Sequence, residues 1–135
     1  MTRINREADA IGGLLVAADE TGGQLAIVQH VIPPRSLGAP LHTHAHTTEV
    51  HIIVAGTMTA RVGGEDRVLG LGDLSVAPIG VPHTFWNPGG TPARVLEIIT
   101  PPGFEAYFDD LREASGPDGL DLEAVAAAMA RHDIE

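Results

Sequence analysis

The 135-residue chain carries 18 acidic against 8 basic residues, a net charge of −10, with 44% hydrophobic residues. A chain of this size forms one domain, 1–135, that buries about two thirds of its unfolded surface. All 8 basic residues are arginine and cysteine is absent, which excludes lysine Schiff-base chemistry, thiolate nucleophiles, disulfides and cysteine-bound metal, and argues against a nucleic-acid partner.

Met1 to Ala10 lacks the apolar core of a signal peptide, and no run approaches the roughly 18 apolar residues of a membrane span. The expectation is a cytoplasmic protein with no membrane partner. Residues 11–16 and 25–32 read as strands joined across Thr21-Gly22-Gly23, whose glycines permit positive φ. Pro33-Pro34 ends the second strand, and a loop through Gly38 and Pro40 leads to a histidine-rich stretch. A strand from Glu49 to Ala55 sets Val50, Ile52 and Val54 on one face and Glu49, His51 and Ile53 on the other. The next strands, 57–62 and 67–69, flank the turn Gly63-Gly64-Glu65-Asp66. Residues 74–77, 83–86 and 93–100 complete a set of short β-segments whose density means a sandwich or barrel over about 11–100. Beyond Pro101-Pro102-Gly103 the hydrophobic period changes. Residues 104–113 form a short amphipathic helix with the stripe Phe104, Tyr107, Phe108 and Leu111, read chiefly as packing. A second helix starts at the N-cap Asp121, giving a helical tail over about 104–131.

His42, His44, Glu49, His46 and His51 crowd into ten residues. Residues two apart on a strand face the same way, so His42 and His44 aim at one point; Glu49 joins them only if a turn intervenes, and Thr47-Thr48 is the expected place. Two imidazoles and a carboxylate suit one divalent transition metal ion, Fe, Mn, Ni, Co or Zn, with positions open for water, substrate or dioxygen. His46, beside the turn, is expected at the rim. His51, which follows Glu49 on its face, is a general base, a substrate contact or a histidine that orients a ligand. His30 and His132 are expected to be structural or solvent-facing. Glu97 receives no role, because Arg94 and Leu96 offer an equally good inward face to that of Val95 and Ile99.

His42-x-His44-x4-Glu49-x6-Gly56 resembles the first motif of the cupin superfamily, and Gly72-x5-Pro78-x-Gly80-x2-His83-x3-Asn87 matches the second at every fixed position. The glycine that usually lies six residues before the first histidine is Ser36 here. The tail from Thr100 to Glu105 looks like that of small bacterial cupins similar to quercetin dioxygenases. The resemblance implies an all-β antiparallel jelly-roll barrel with two short C-terminal helices and an internal metal held by His42, His44, Glu49 and His83. The turn before His83 agrees, since Phe85 shares its face and points it into an apolar interior. Glu49 and His51 are the expected catalytic groups, and His51, Ile53 and Phe85 the expected substrate contacts. The implied activity is a metal-dependent, dioxygenase-like reaction on a small organic substrate. A non-redox isomerase, cyclase or lyase and a binding module without catalysis are the alternatives. The β-branched outward face of Val50, Ile52 and Val54 calls for cover, by the helices or by a second copy in a homodimer.

Overall fold

In the computed structural model, residues 12–116 and 119–135 are described; Ile11, at the start of the first expected strand, lies outside them. Strands β1 (Gly13–Val16), β2 (Ala26–Ile32), β3 (Ser36–His42), β4 (Thr48–Ala55), β5 (Met58–Val62), β6 (Glu65–Leu69), β7 (Leu74–Ala77), β8 (His83–Asn87) and β9 (Ala93–Thr100) precede α1 (Ala106–Glu113). Two two-residue strands, β10 (Ser115–Gly116) and β11 (Gly119–Leu120), then lead into α2 (Leu122–Arg131). One sheet runs β1-β2-β9-β4-β7 and the other β3-β8-β5-β6, all pairings antiparallel. This is the expected jelly-roll barrel with two short C-terminal helices, and no helix among the described residues is long and apolar enough to cross a membrane.

The strand expectations hold except in the segment after Pro33-Pro34, read as a loop. There the structure has β3, paired with β8 through two register irregularities, between Leu37 and Ala39 and between Ala39 and His42. Pro40 is tolerated because β3 is the edge strand of its sheet, where a missing N–H breaks no ladder on the outer side. Gly38 is required for a different reason: a Cβ there would stand 2.1 Å from the Phe85 ring. The β5–β6 turn is tighter than expected, with Gly63 and Gly64 at φ 59° and 83° and Glu65 already in β6.

Alternation on the larger sheet decides what faces inward. Along β4, Glu49, His51 and Ile53 are buried; along β9, Val95, Glu97 and Ile99 are. The ambiguity on β9 is thereby resolved in favour of the Glu97 face. Two apolar clusters fill the barrel. One gathers Ile32, Ile53, Met58, Leu69, Phe85 and Val95; the other gathers Val28, Ile99, Phe104, Phe108 and Ile134 under the helices. Polar residues occupy the layer between them, since His51 lies along β4 between Ile53 of the first cluster and Glu49, whose partner on β9 is Ile99 of the second.

Candidate metal centre

His42 ends β3, His83 opens β8 opposite it, and Glu49 lies at the second position of β4. His44 sits in the connection, and its position depends on the far end of the chain. It forms a β-bridge with Ile134, while Thr43 and Glu135 exchange backbone hydrogen bonds of 2.9 and 3.0 Å. The Gly80 N–H donates to the His44 carbonyl at 2.9 Å, tying the loop before His83 to the loop carrying His44. The chain bends at Ala45 and His46, and Thr48 already belongs to β4, so the turn expected at Thr47-Thr48 lies two residues earlier.

The four side chains converge. One ligand atom from each of His42, His44, Glu49 and His83 lies within 4.8 Å of the other three, and all four residues are buried. His42 Nε2 and His44 Nε2 are 3.1 Å apart, His83 Nε2 is 3.6 Å from Glu49 Oε1, and His44 Nε2 is in contact with that same oxygen. The tautomers of His42 and His83 are set from behind. His42 Nδ1–H donates to the Pro40 carbonyl at 2.6 Å and His83 Nδ1–H to the Val81 carbonyl at 2.9 Å, so each Nε2 turns a lone pair inward. His83 Nε2 and Glu49 Oε1 have no hydrogen-bond partner although both are buried. Inward lone pairs and an unsatisfied carboxylate oxygen around one point repel one another unless a cation lies there, so the residues fit a metal ion.

Burial, the largest influence on His42, lowers its pKa from 6.5 to about 4. Burial alone would raise Glu49, but the close approach of His44, His83 and Glu97 and the charge of His51 hold its carboxyl well below the usual range. An unfolded chain takes up a proton at His42 below its ordinary value of 6.5, whereas the folded chain does so only near 4. Metal-stripped protein is therefore expected to lose up to about 3 kcal/mol of stability as pH falls through that window. His51 acts on the other side: burial lowers it, but the hydrogen bond to Glu97 and the charges of Glu97 and Glu49 prevail and raise its pKa. Its contribution is full below the ordinary value and fades as pH rises past the folded one. Urea titrations of metal-stripped protein check both limbs. The fall on the acid side should flatten in His42→Gln, and an equal slope in that variant contradicts the assignment.

The other expected site residues divide. Phe85 lines a cavity of about 420 Å³ together with His30, His42, Glu49 and Glu97. Ile53 does not: it packs in the apolar core with Met58 and Val95, fully buried, which corrects its expected role as a substrate contact. His51 is also absent from the cavity wall and touches Glu97 and Glu49 behind it, at 2.9 and 3.5 Å. His46 is at the rim, exposed and 3.8 Å from Asp133. His132 is structural, hydrogen-bonded to Asp110 at 2.7 Å. His30 is buried, packed edge-on against Phe108 and 3.2 Å from Glu97. Glu97 is the residue that sequence reasoning passed over. Its signal was the alternation of β9, which two faces satisfied equally until pairing with β4 set Glu97 opposite His51.

The helices close the cavity as well as packing on the barrel. Phe104, Tyr107, Phe108 and Leu111 from the first helical segment and Leu122, Val125 and Met129 from α2 form its apolar wall.

A family model described as "Cupin domain" matches residues 28–99. Mannose-1-phosphate guanylyltransferase of Escherichia coli K12 is 27% identical over 96 residues, 71% of this chain. The chain spans only 20% of that enzyme's length. Among solved structures, a predicted oxalate decarboxylase from Thermotoga maritima superposes with TM-score 0.62 at 23% identity, covering 66% of this chain and 77% of that one. A sugar phosphate isomerase from Silicibacter pomeroyi gives TM-score 0.57 at 22% identity, covering 67% and 59%.

Proposed function

The chain belongs to the cupin domain family, and from that premise we propose that it is a metal-dependent enzyme, dioxygenase-like, acting on a small and largely apolar organic molecule. The observation that carries the reading is the meeting of two features: four ligand atoms converge on one point, and the apolar cavity opens directly onto Glu49 and His42 among them. His42, His44, His83 and Glu49 hold the ion. When bound, a divalent ion of the Fe, Mn, Ni, Co or Zn class supplies Lewis acidity toward a substrate oxygen and, if redox-active, a route for dioxygen.

The chain's own residues do the rest. Phe104, Tyr107, Phe108 and Phe85 bind the body of the substrate and exclude water from the donors. No arginine lines the cavity, and the chain has no lysine, so nothing among the described residues there matches a phosphate away from the metal. That favours an uncharged substrate body over the sugar phosphates in the names of two of the similar proteins. Glu49 holds or moves a proton at Oε2, the oxygen that faces His51, whenever no ion occupies that oxygen.

A non-redox reading is supported by the same buried acid–base groups and by the decarboxylase among the structural neighbours. An oxygen electrode decides between them, with metal-reconstituted protein and a panel of phenolic, diketone and thiol compounds. Substrate-dependent oxygen uptake that disappears on metal removal supports the oxygenase. Turnover unchanged under argon supports the non-redox enzyme, and tight binding without conversion points to a binding module.

We further propose a homodimer formed on the outer face of the larger sheet. Leu74 and Val76 of β7 are 54% and 44% exposed, and they lie beside Ile52 and Val50 of β4, which in turn lie beside Leu96 and Ile98 of β9. A continuous apolar sheet face of this kind is self-complementary about a two-fold axis. Sedimentation at micromolar concentration should give the dimer mass, and Val76→Glu the monomer mass; a wild-type monomer rejects the assignment.

A further inference from the structure

Behind the first cluster lies a second group of buried donors that the histidine motif does not explain. His51 on β4 and Glu97 on β9 stand opposite one another in register, with His51 Nε2 2.9 Å from Glu97 Oε1. His30 on β2 brings its Nε2 to 3.2 Å from the same oxygen. Glu49, His51 and Glu97 each offer a ligand atom within 4.8 Å of the other two. Exposure is 2% for both glutamates, 3% for His51 and 5% for His30, and Glu97 Oε2 has no hydrogen-bond partner.

The two oxygens of Glu49 are divided between the groups. Oε1 faces His44 and His83, whereas Oε2 faces His51 at 3.5 Å. A carboxylate presented in this way can bridge two ions, the arrangement found in sites whose metals stand about 3.5–4 Å apart. Charge leads to the same conclusion. Two carboxylates buried side by side need positive charge near them; an ion in the first cluster answers Glu49, and Glu97 Oε2 is still left without a hydrogen-bond partner.

We propose that Glu49 bridges two divalent ions, the second held by Glu49 Oε2, His51 and Glu97, with His30 as a further donor. With two carboxylates among its donors, the second position suits Mn(II) or Fe(II) better than softer ions. The inference rests on the first cluster being a metal centre, because Glu49 belongs to both.

The test is a metal count. Tag-free protein is stripped with a chelator, loaded with excess Mn(II), passed over chelating resin to clear its acidic surface, and measured by mass spectrometry and electron paramagnetic resonance. Wild type should retain two equivalents with a spin-coupled spectrum. Glu97→Gln and His51→Asn should each retain one, with the sextet of an isolated ion. One equivalent with an isolated-ion spectrum in wild type overturns the second site and leaves the first standing. Two equivalents persisting in both variants places the extra ion elsewhere and also overturns it. No metal in wild type overturns both readings. The wild-type count decides alone if either variant fails to fold.

Discussion

His83→Ala protein is expected to emerge from purification without metal but with its β-sheet circular dichroism intact. The imidazole it loses presents a buried, unpartnered Nε2 to the common point, and its Nδ1–H is already committed to the Val81 carbonyl. Loss of a group that merely orients a ligand costs roughly 10–100-fold in metal affinity, so loss of a donor atom should cost more than about a hundredfold. The metal-free fold has little to lose, because His83 belongs to neither apolar cluster. Removing one of several crowded lone pairs also relieves repulsion when no ion is present. Metal stabilises wild type by mass action in proportion to its affinity, so the variant should unfold in urea where stripped wild type does, and added metal should not shift it. His44→Ala should behave alike. If both variants are globally unfolded, the ion is a structural element of the barrel.

The difference between what the sequence displayed and what it hid follows from how local each signal is. His42 and His44 were legible by their period-two spacing, which holds past the end of β3 because His44 is bridged to Ile134, and His83 because a turn and an inward aromatic residue precede and follow it. The location of the bend at Ala45 and His46 was not legible. It depends on the pairing of Thr43 and His44 with the last residues of the chain, and nothing in the local residues foretells that contact. Strand β3 was hidden by Gly38 and Pro40, which locally read as breakers. The first makes room for Phe85 from the neighbouring strand, and the second lies on a sheet edge. Glu97 and the burial of His51 behind it required the β4–β9 register, a tertiary fact. The stripe on the first helix was visible as apolar, but only its contact with the barrel mouth shows that it walls the cavity.

The second large effect is expected at Asn87, which the sequence showed only as the last residue of a motif and which carries no chemistry. Its side chain is 1% exposed and acts as a staple at the end of β8. The two N–H groups of Nδ2 serve three carbonyls, those of Ile32, Pro33 and Thr91 at 3.0, 3.2 and 2.8 Å, with one N–H shared between two of them, and Oδ1 accepts from the Gly89 N–H at 2.9 Å. The staple holds the exit of β2, where Pro33 and Pro34 supply no N–H of their own, against the turn that leads into β9. Asn87→Ala strips partners from three carbonyls and one amide at once. Each buried group left unsatisfied costs about 1–3 kcal/mol, and water reaching the more open ones recovers part, so the net loss should be about 3–5 kcal/mol. That is a large share of the ~5–15 kcal/mol by which domains of this size are stable, and the melting temperature should fall by about 10 °C or more. Asn87→Asp should fare no better, because one carboxylate oxygen keeps the Gly89 contact but the other turns an acceptor toward three carbonyls. Below its melting point the Ala variant should still bind metal at wild-type stoichiometry, since His83 lies at the opposite end of β8. A melting temperature within a degree or two of wild type would mean that water replaces all four bonds, and loss of metal from folded protein would mean that the staple also positions His83.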